Sequence, residues 1–314
     1  MPTDILTLPG RTRVRDVVLE GVLKRRILQI DAAHAQACAA LWATGNFTHL
    51  HIGSPENPGL TSLACLHDFQ HITRLEVMLL EGKVDVSALA AHASTLVEFS
   101  CNDDHNALLD CSEFPALESL RQTWHPAMRF GPSAALQSLS LNRYAPRSQR
   151  LGGSPELPEA PQLRELNLLR PGLVALAPLD PWPQLEALRV TMAPRLRTVG
   201  EVAGCRQLKE LVLDGCRQVA DLAPCLAQLG SLEALTLEKC ADLPNLRFVE
   251  HLPRLARLNL LDTEVLDGDL APLVEHPSLR HVAFTSRKHF SHTEGQIRSL
   301  LQARQPAQAG PPRR

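Results

Sequence analysis

The chain has 314 residues, with 32 Lys and Arg against 34 Asp and Glu for a net charge of −2, and 44% of its residues are hydrophobic. So even a balance supplies no basic surface for nucleic acid or an anionic membrane, and neither is expected as a partner. The opening MPTDILTLPGRTRVRD has no signal-peptide apolar core and no run reaches transmembrane length, so a cytoplasmic location is expected.

Residues 1–46 read as a cap. RVRDVVLEGVLKRRILQI is rich in β-branched and apolar residues, which predicts one or two strands. DAAHAQACAALWA follows with helical character: Asp31 is placed to cap it, and Ala33, Ala37 and Leu41 fall four apart on one face.

From Phe47 to about residue 290 the chain repeats itself. LKELVLDGC, starting at Leu208, has an L-x-x-L-x-L spacing that recurs as Leu163/Leu166/Leu168, Leu185/Leu188/Val190, Leu232/Leu235/Leu237 and Leu255/Leu258/Leu260. Copies starting at Leu136 and Leu117 keep the first two leucines. Those at Leu96, Ile72 and Phe47 keep apolar character alone, and Leu279/Val282/Phe284 makes a last, looser copy. The starts from Leu163 advance by 22, 23, 24 and 23 residues, and about eleven copies fit in all. Positions 4 and 6 of a copy lie two apart, on one face of a short strand. The remainder, such as LAPCLAQLGS after Asp221, has the three- and four-residue spacing of a short helix or 3₁₀ turn. One unit cannot bury its apolar face alone, whereas stacked units share a continuous core.

Period and spacing together make the chain resemble the leucine-rich repeat proteins over residues 47–290. The resemblance implies an α/β solenoid, a curved right-handed superhelix with parallel strands on its concave face and short helices or 3₁₀ turns on its convex face. It also implies a ninth position turned inward at the strand end, commonly Asn, Cys or Thr. Cys216, Cys240 and Thr263 stand there, similar to the cysteine-containing subclass, while Pro171 and Ala193 interrupt the column. The eight cysteines contain no C-x-x-C, so neither a disulfide framework nor a zinc site is expected.

The 142–162 segment contains YAPRSQRLGGSPELPEAPQ, and its Pro, Gly and Ser content predicts a surface loop or hinge inside the repeat array. After the last copy, HTEGQIRSLLQAR predicts a capping helix over residues 291–304, with Thr293 as its cap, and 305–314 read as a disordered tail.

Positions 2, 3, 5, 7 and 8 of each copy face outward, and reading them as columns maps a surface. The early copies contribute His49, His51, Arg74, Glu76, Glu98, Asn102 and Asp103; the late ones Glu210, Asp214, Glu238, Lys239, Arg257, Asn259 and Asp262. The middle stands out for Trp124 among arginines, the residue types that anchor protein interfaces. Arg121, Trp124, Asn142, Arg143, Tyr144, Asn167, Arg170 and Arg189 are therefore the expected partner contacts.

His49/His51 and His67/His71 have spacings that suit a shared metal, but no third ligand stands beside either pair, and no metal or cofactor is expected. CNDDHN at 101–106 combines thiol, acids and imidazole, yet Cys101 falls on an inward position. No nucleophile elbow, phosphate loop or H-E-x-x-H occurs, so the chain reads as a monomeric, non-enzymatic module binding an unidentified protein. A second reading makes it an effector-like bacterial protein, exported without a signal peptide to bind a host protein. Related effectors carry a ubiquitin-ligase domain with a catalytic cysteine, and no cysteine follows Phe290 here.

Overall fold

The computed structural model describes residues 8–19, 22–78, 84–101, 110–126, 128, 130–147, 150–151, 157–176, 179 and 181–304. The expectations for Asn102, Asp103 and the tail at 305–314 fall outside them. The chain forms two compact units, one of residues 1–144 and 155–163, the other of residues 145–154 and 164–314. The 142–162 segment is thus divided between them.

Unit 1 begins with a hairpin. β1 (Arg13–Leu19) and β2 (Val22–Gln29) pair antiparallel, with a bulge between Val17 and Val18. Asp31 then accepts from Ala33 N at 3.1 Å, capping a 3₁₀ turn at Ala32–His34 that leads into α1 (Ala35–Trp42). The face α1 buries is Ala35 and Cys38, in place of the expected Ala33, Ala37 and Leu41. The correction follows from the entry turn, whose tighter 3₁₀ winding advances each residue further around the axis than an α-turn does.

Five short strands follow: β3 (His49–Gly53), β4 (Arg74–Met78), β5 (Glu98–Cys101), β6 (Ser119–Thr123) and β7 (Ser138–Asn142). Each pairs in parallel with the next, and β3 pairs in parallel with β2. Registers such as Leu120 opposite Leu139 and Phe99 opposite Leu120 show that equivalent repeat positions stack directly.

Unit 2 repeats the plan. β9 (Glu165–Leu169), β11 (Ala187–Thr191), β12 (Glu210–Asp214), β13 (Ala234–Glu238), β14 (Arg257–Leu261) and β15 (His281–Phe284) run parallel in that order. A separate two-residue ladder joins β8 (Arg150–Leu151) to β10 (Ala175–Leu176). Behind the strands stand α2 (Leu222–Leu226), α3 (Ala271–Glu275) and 3₁₀ turns at Gly200–Gly204 and Arg247–His251, as the repeat pattern predicts.

The core is the leucine pattern made solid. Leu208, Leu211 and Leu213 are buried to within 1%, as are Leu232, Leu235 and Leu237. Burying one such side chain contributes roughly 1.5–3 kcal/mol. Two histidines also belong to this interior: His276 Nε2 lies 3.1 Å from both the Val249 and Leu252 carbonyls, and His92 Nε2 lies 3.1 Å from the Leu66 carbonyl. α4 (Glu294–Arg304) closes unit 2 by burying Ile297 and Leu301. Among the described residues, no helix is long and apolar enough to cross a membrane.

Candidate interaction surfaces

A strand with positions 4 and 6 inside must turn 3, 5 and 7 outward. In the copies that start at Leu136 through Leu255, position 8 takes a left-handed backbone as the chain reverses. Arg143, Arg170, Met192, Gly215, Lys239 and Asp262 all occupy it, with φ between +48° and +69°. The amide there donates to the position-7 carbonyl of the next strand: Arg170 to Thr191, Met192 to Asp214, Gly215 to Glu238 and Lys239 to Leu261, each at 2.8 Å. Glycine alone adopts this conformation without steric cost, so the other five present bulky side chains against a backbone penalty.

In unit 1, Arg121 is exposed on β6 and Trp124, at position 8 of its copy, is half-buried. The Asn142 amide donates to Thr123 Oγ1 at 3.4 Å, and Arg143 is exposed beside it. Tyr144 departs from the expectation. It is 0% exposed and cannot touch a partner. The reason lies in the repeat itself, because Tyr144 is the ninth residue of the copy that starts at Leu136 and so turns inward. Its ring packs edge-on against Trp124, with centroids 5.6 Å apart and planes at 84°. Tyr144 is the support under Trp124, not a contact residue.

The early outward strands hold a network that sequence reading missed. His51 Nδ1 lies 3.0 Å from Glu76 Oε2, which Arg15 approaches to 3.6 Å from the hairpin. Glu98 likewise draws His49 Nε2 to 3.6 Å and Arg74 Nε to 3.6 Å, with Arg25 at 3.8 Å. The His51 hydrogen bond is the main cause that holds the Glu76 carboxyl below its ordinary range, and the neighbouring His49 imidazole is the main one for Glu98, with the arginines adding to both. No group of three or more His, Cys, Asp or Glu suited to a metal occurs among the described residues. Elsewhere in unit 1, a cavity of about 640 Å³ against α1 is lined by Trp42, Phe47, Asp68 and His71, but by no serine or cysteine.

In unit 2, Asn167 and Arg189 form one cluster. Arg189 grips Glu210 with both arms, Nε to Oε1 at 2.9 Å and Nη2 to Oε2 at 2.8 Å, and its Nη1 donates to Asn167 Oδ1 at 3.3 Å. Arg170 is exposed at the strand end. Two neighbours were not anticipated: Leu169 is 40% and Met192 49% exposed. Their signal was present in the sequence, as apolar residues at outward positions 7 and 8. Of the eight expected contacts, then, four lie in unit 1 with Tyr144 beneath them, and three lie in unit 2.

The ninth-position column decides the architecture. Cys216, Cys240 and Thr263 are buried in consecutive copies. Cys240 Sγ donates to the carbonyls of Leu213 at 3.3 Å and Glu238 at 3.5 Å; Thr263 Oγ1 donates to Leu237 at 3.2 Å and accepts from Cys240 N at 3.1 Å. The neighbouring Cys240 thiol, reinforced by burial, pushes the free Cys216 thiol above its ordinary range. Inward residues of this kind, stacked beside in-register parallel strands at a 22–24-residue step, leave one assignment. The fold is a leucine-rich repeat solenoid.

Among solved structures, this leucine-rich repeat chain is similar to the internalin InlF of Listeria monocytogenes, at 13% identity over 78% of this chain and 77% of that one, TM-score 0.45. It is similar to the functional domain of InlJ from the same organism, described as including a cysteine ladder, at 15% identity over 86% of this chain and 62% of that one, TM-score 0.46. A chain of the mouse RP105/MD-1 complex is similar at 15% identity over 75% of this chain and 46% of that one, TM-score 0.48. No protein-family model and no curated protein sequence matches the chain.

Proposed function

We propose that this leucine-rich repeat protein is a non-enzymatic interaction module that binds a protein partner on the outward strand face of its repeats. The observation that carries the reading is the position-8 ridge, where Arg143, Arg170, Met192 and Lys239 keep long side chains on a backbone that glycine would adopt freely. Such strain persists where the side chain is used. Arg121, Trp124, Asn142 and Arg143 are the proposed contacts in unit 1, and Asn167, Arg170 and Arg189 those in unit 2. Aromatic and arginine side chains held on a rigid strand framework lose little entropy on binding, which favours them as anchors.

The test is an affinity pull-down from a lysate of the source organism, wild type beside Trp124→Ala/Arg143→Ala and Arg170→Ala/Arg189→Ala, with captured proteins identified by mass spectrometry. A stoichiometric partner retained by the wild type and lost by a variant that still melts cooperatively supports the reading. A partner indifferent to both variants places binding elsewhere on the molecule. Capture from a host-cell lysate alone would favour the exported, effector-like reading over a cytoplasmic one.

A further inference from the structure

Within that protein-binding reading, we infer that the strand ends of β9, β11, β12 and β13 in unit 2 receive an extended partner segment. The segment carries a Leu-, Met- or Phe-like residue and, about three residues away, a lysine or arginine.

The apolar half of this surface is Leu169 and Met192. They stand on neighbouring strand ends, since Leu169 pairs with Thr191 in register and Met192 follows it. Both are among nine exposed large apolar side chains of the described residues. The acidic half begins on the next strand. Asp214 and Glu238 are opposite each other in the β12–β13 register, which sets two like charges about one strand spacing, roughly 5 Å, apart. Glu238 holds Lys239 Nζ at 2.8 Å. The Asp214 carboxylate has neither an ion pair nor a hydrogen bond among the described residues. Burial, then the charge of Glu238, raises its pKa, and the nearby Lys239 offsets this only in part.

The position-8 ridge runs Met192, Gly215, Lys239 across these strands, so it carries no side chain between Met192 and Lys239. From Leu169 and Met192 to Asp214 and Glu238 is about two strand spacings, roughly 10 Å, which an extended chain covers in about three residues. An apolar anchor and a cation at that interval match the surface in spacing and charge.

The experiment uses the full-length protein to select from a displayed library of random twelve-residue peptides, and compares wild type with Asp214→Asn/Glu238→Gln and Leu169→Ser/Met192→Ser. Thermal melts confirm that the variants fold. The expected result is enrichment of peptides with a cation three residues from a large apolar residue, bound about tenfold more weakly by each double variant. Added salt should weaken these peptides too. Enriched peptides that lack the cation and ignore Asp214→Asn/Glu238→Gln, while losing Leu169→Ser/Met192→Ser, would overturn the acidic half and leave the protein-binding reading standing. Peptides indifferent to both variants overturn this inference, and so does the absence of any enrichment; the lysate pull-down then judges the broader reading independently.

Discussion

Tyr144 and Arg143 are adjacent in sequence and opposite in role. Tyr144 occupies the inward ninth position and is fully buried, whereas Arg143 projects from the left-handed eighth. Tyr144→Ala should cost about 3–5 kcal/mol, the range for deleting a buried aromatic. Arg143→Ala should leave stability within about 0.5 kcal/mol of wild type, as at most surface positions. Urea denaturation of the two variants distinguishes these outcomes, and equal costs would mean that the eighth position is also structural. The titratable groups carry their own signature. Burial is the leading cause that lowers the His92 and His276 pKa values from 6.5, and the adjacent His51 and His49 lower those of Glu76 and Glu98 from 4.5. All four have folded values below their unfolded ones, so each contributes stability that is complete above the unfolded value and lost as pH falls through the folded one. Melting temperature should therefore decline below about pH 6.5 and again below about pH 4.5. In His276→Gln the first decline should shrink.

At the scale of elements, caps and turns set the ends of the array. Thr293 and Gln296 form a reciprocal capping box at the start of α4: Gln296 N donates to Thr293 Oγ1 at 3.3 Å and Thr293 N donates to Gln296 Oε1 at 2.8 Å. Thr293→Ala should cost about 1 kcal/mol, read as earlier hydrogen exchange across Glu294–Arg304. The T-x-x-Q spacing was readable in advance, and so was Asp31 at the other end. The buried face of α1 was not, because the 3₁₀ entry turn changes its phase. Cysteine chemistry is also decided by elements. Cys111 and Cys225 are pushed up to about 12 by burial, and Cys65 to about 11. In a native thiol-labelling assay at pH 8, the half-buried Cys65 and Cys205 should react first, and the six buried thiols only on unfolding.

For the whole molecule, a repeat array concentrates its energetics between neighbours. Leu235→Ala removes a fully buried leucine from β13 of unit 2 and should cost about 2–5 kcal/mol. Hydrogen exchange should accelerate in the strands beside it, β12 and β14, while β3 to β6 of unit 1 keep their protection. Uniform loss across both units would show that the array unfolds as one cooperative body.

The sequence by itself determined the repeat period, the strand positions and the inward Cys216–Cys240–Thr263 column, because each depends on local spacing that the copies restate. It also contained the signal for Tyr144, whose ninth position was overlooked in favour of its residue type. Tertiary structure alone decided the His51–Glu76–Arg15 and His49–Glu98–Arg25 networks. Their members lie on three or four different strands, and no spacing along the chain records which side chains meet across a sheet. It likewise decided that Leu169 and Met192 stand on the strand ends beside those of Asp214 and Glu238. Adjacency between copies follows from the register of stacked strands, and register is fixed only when the leucines of every copy pack into one core.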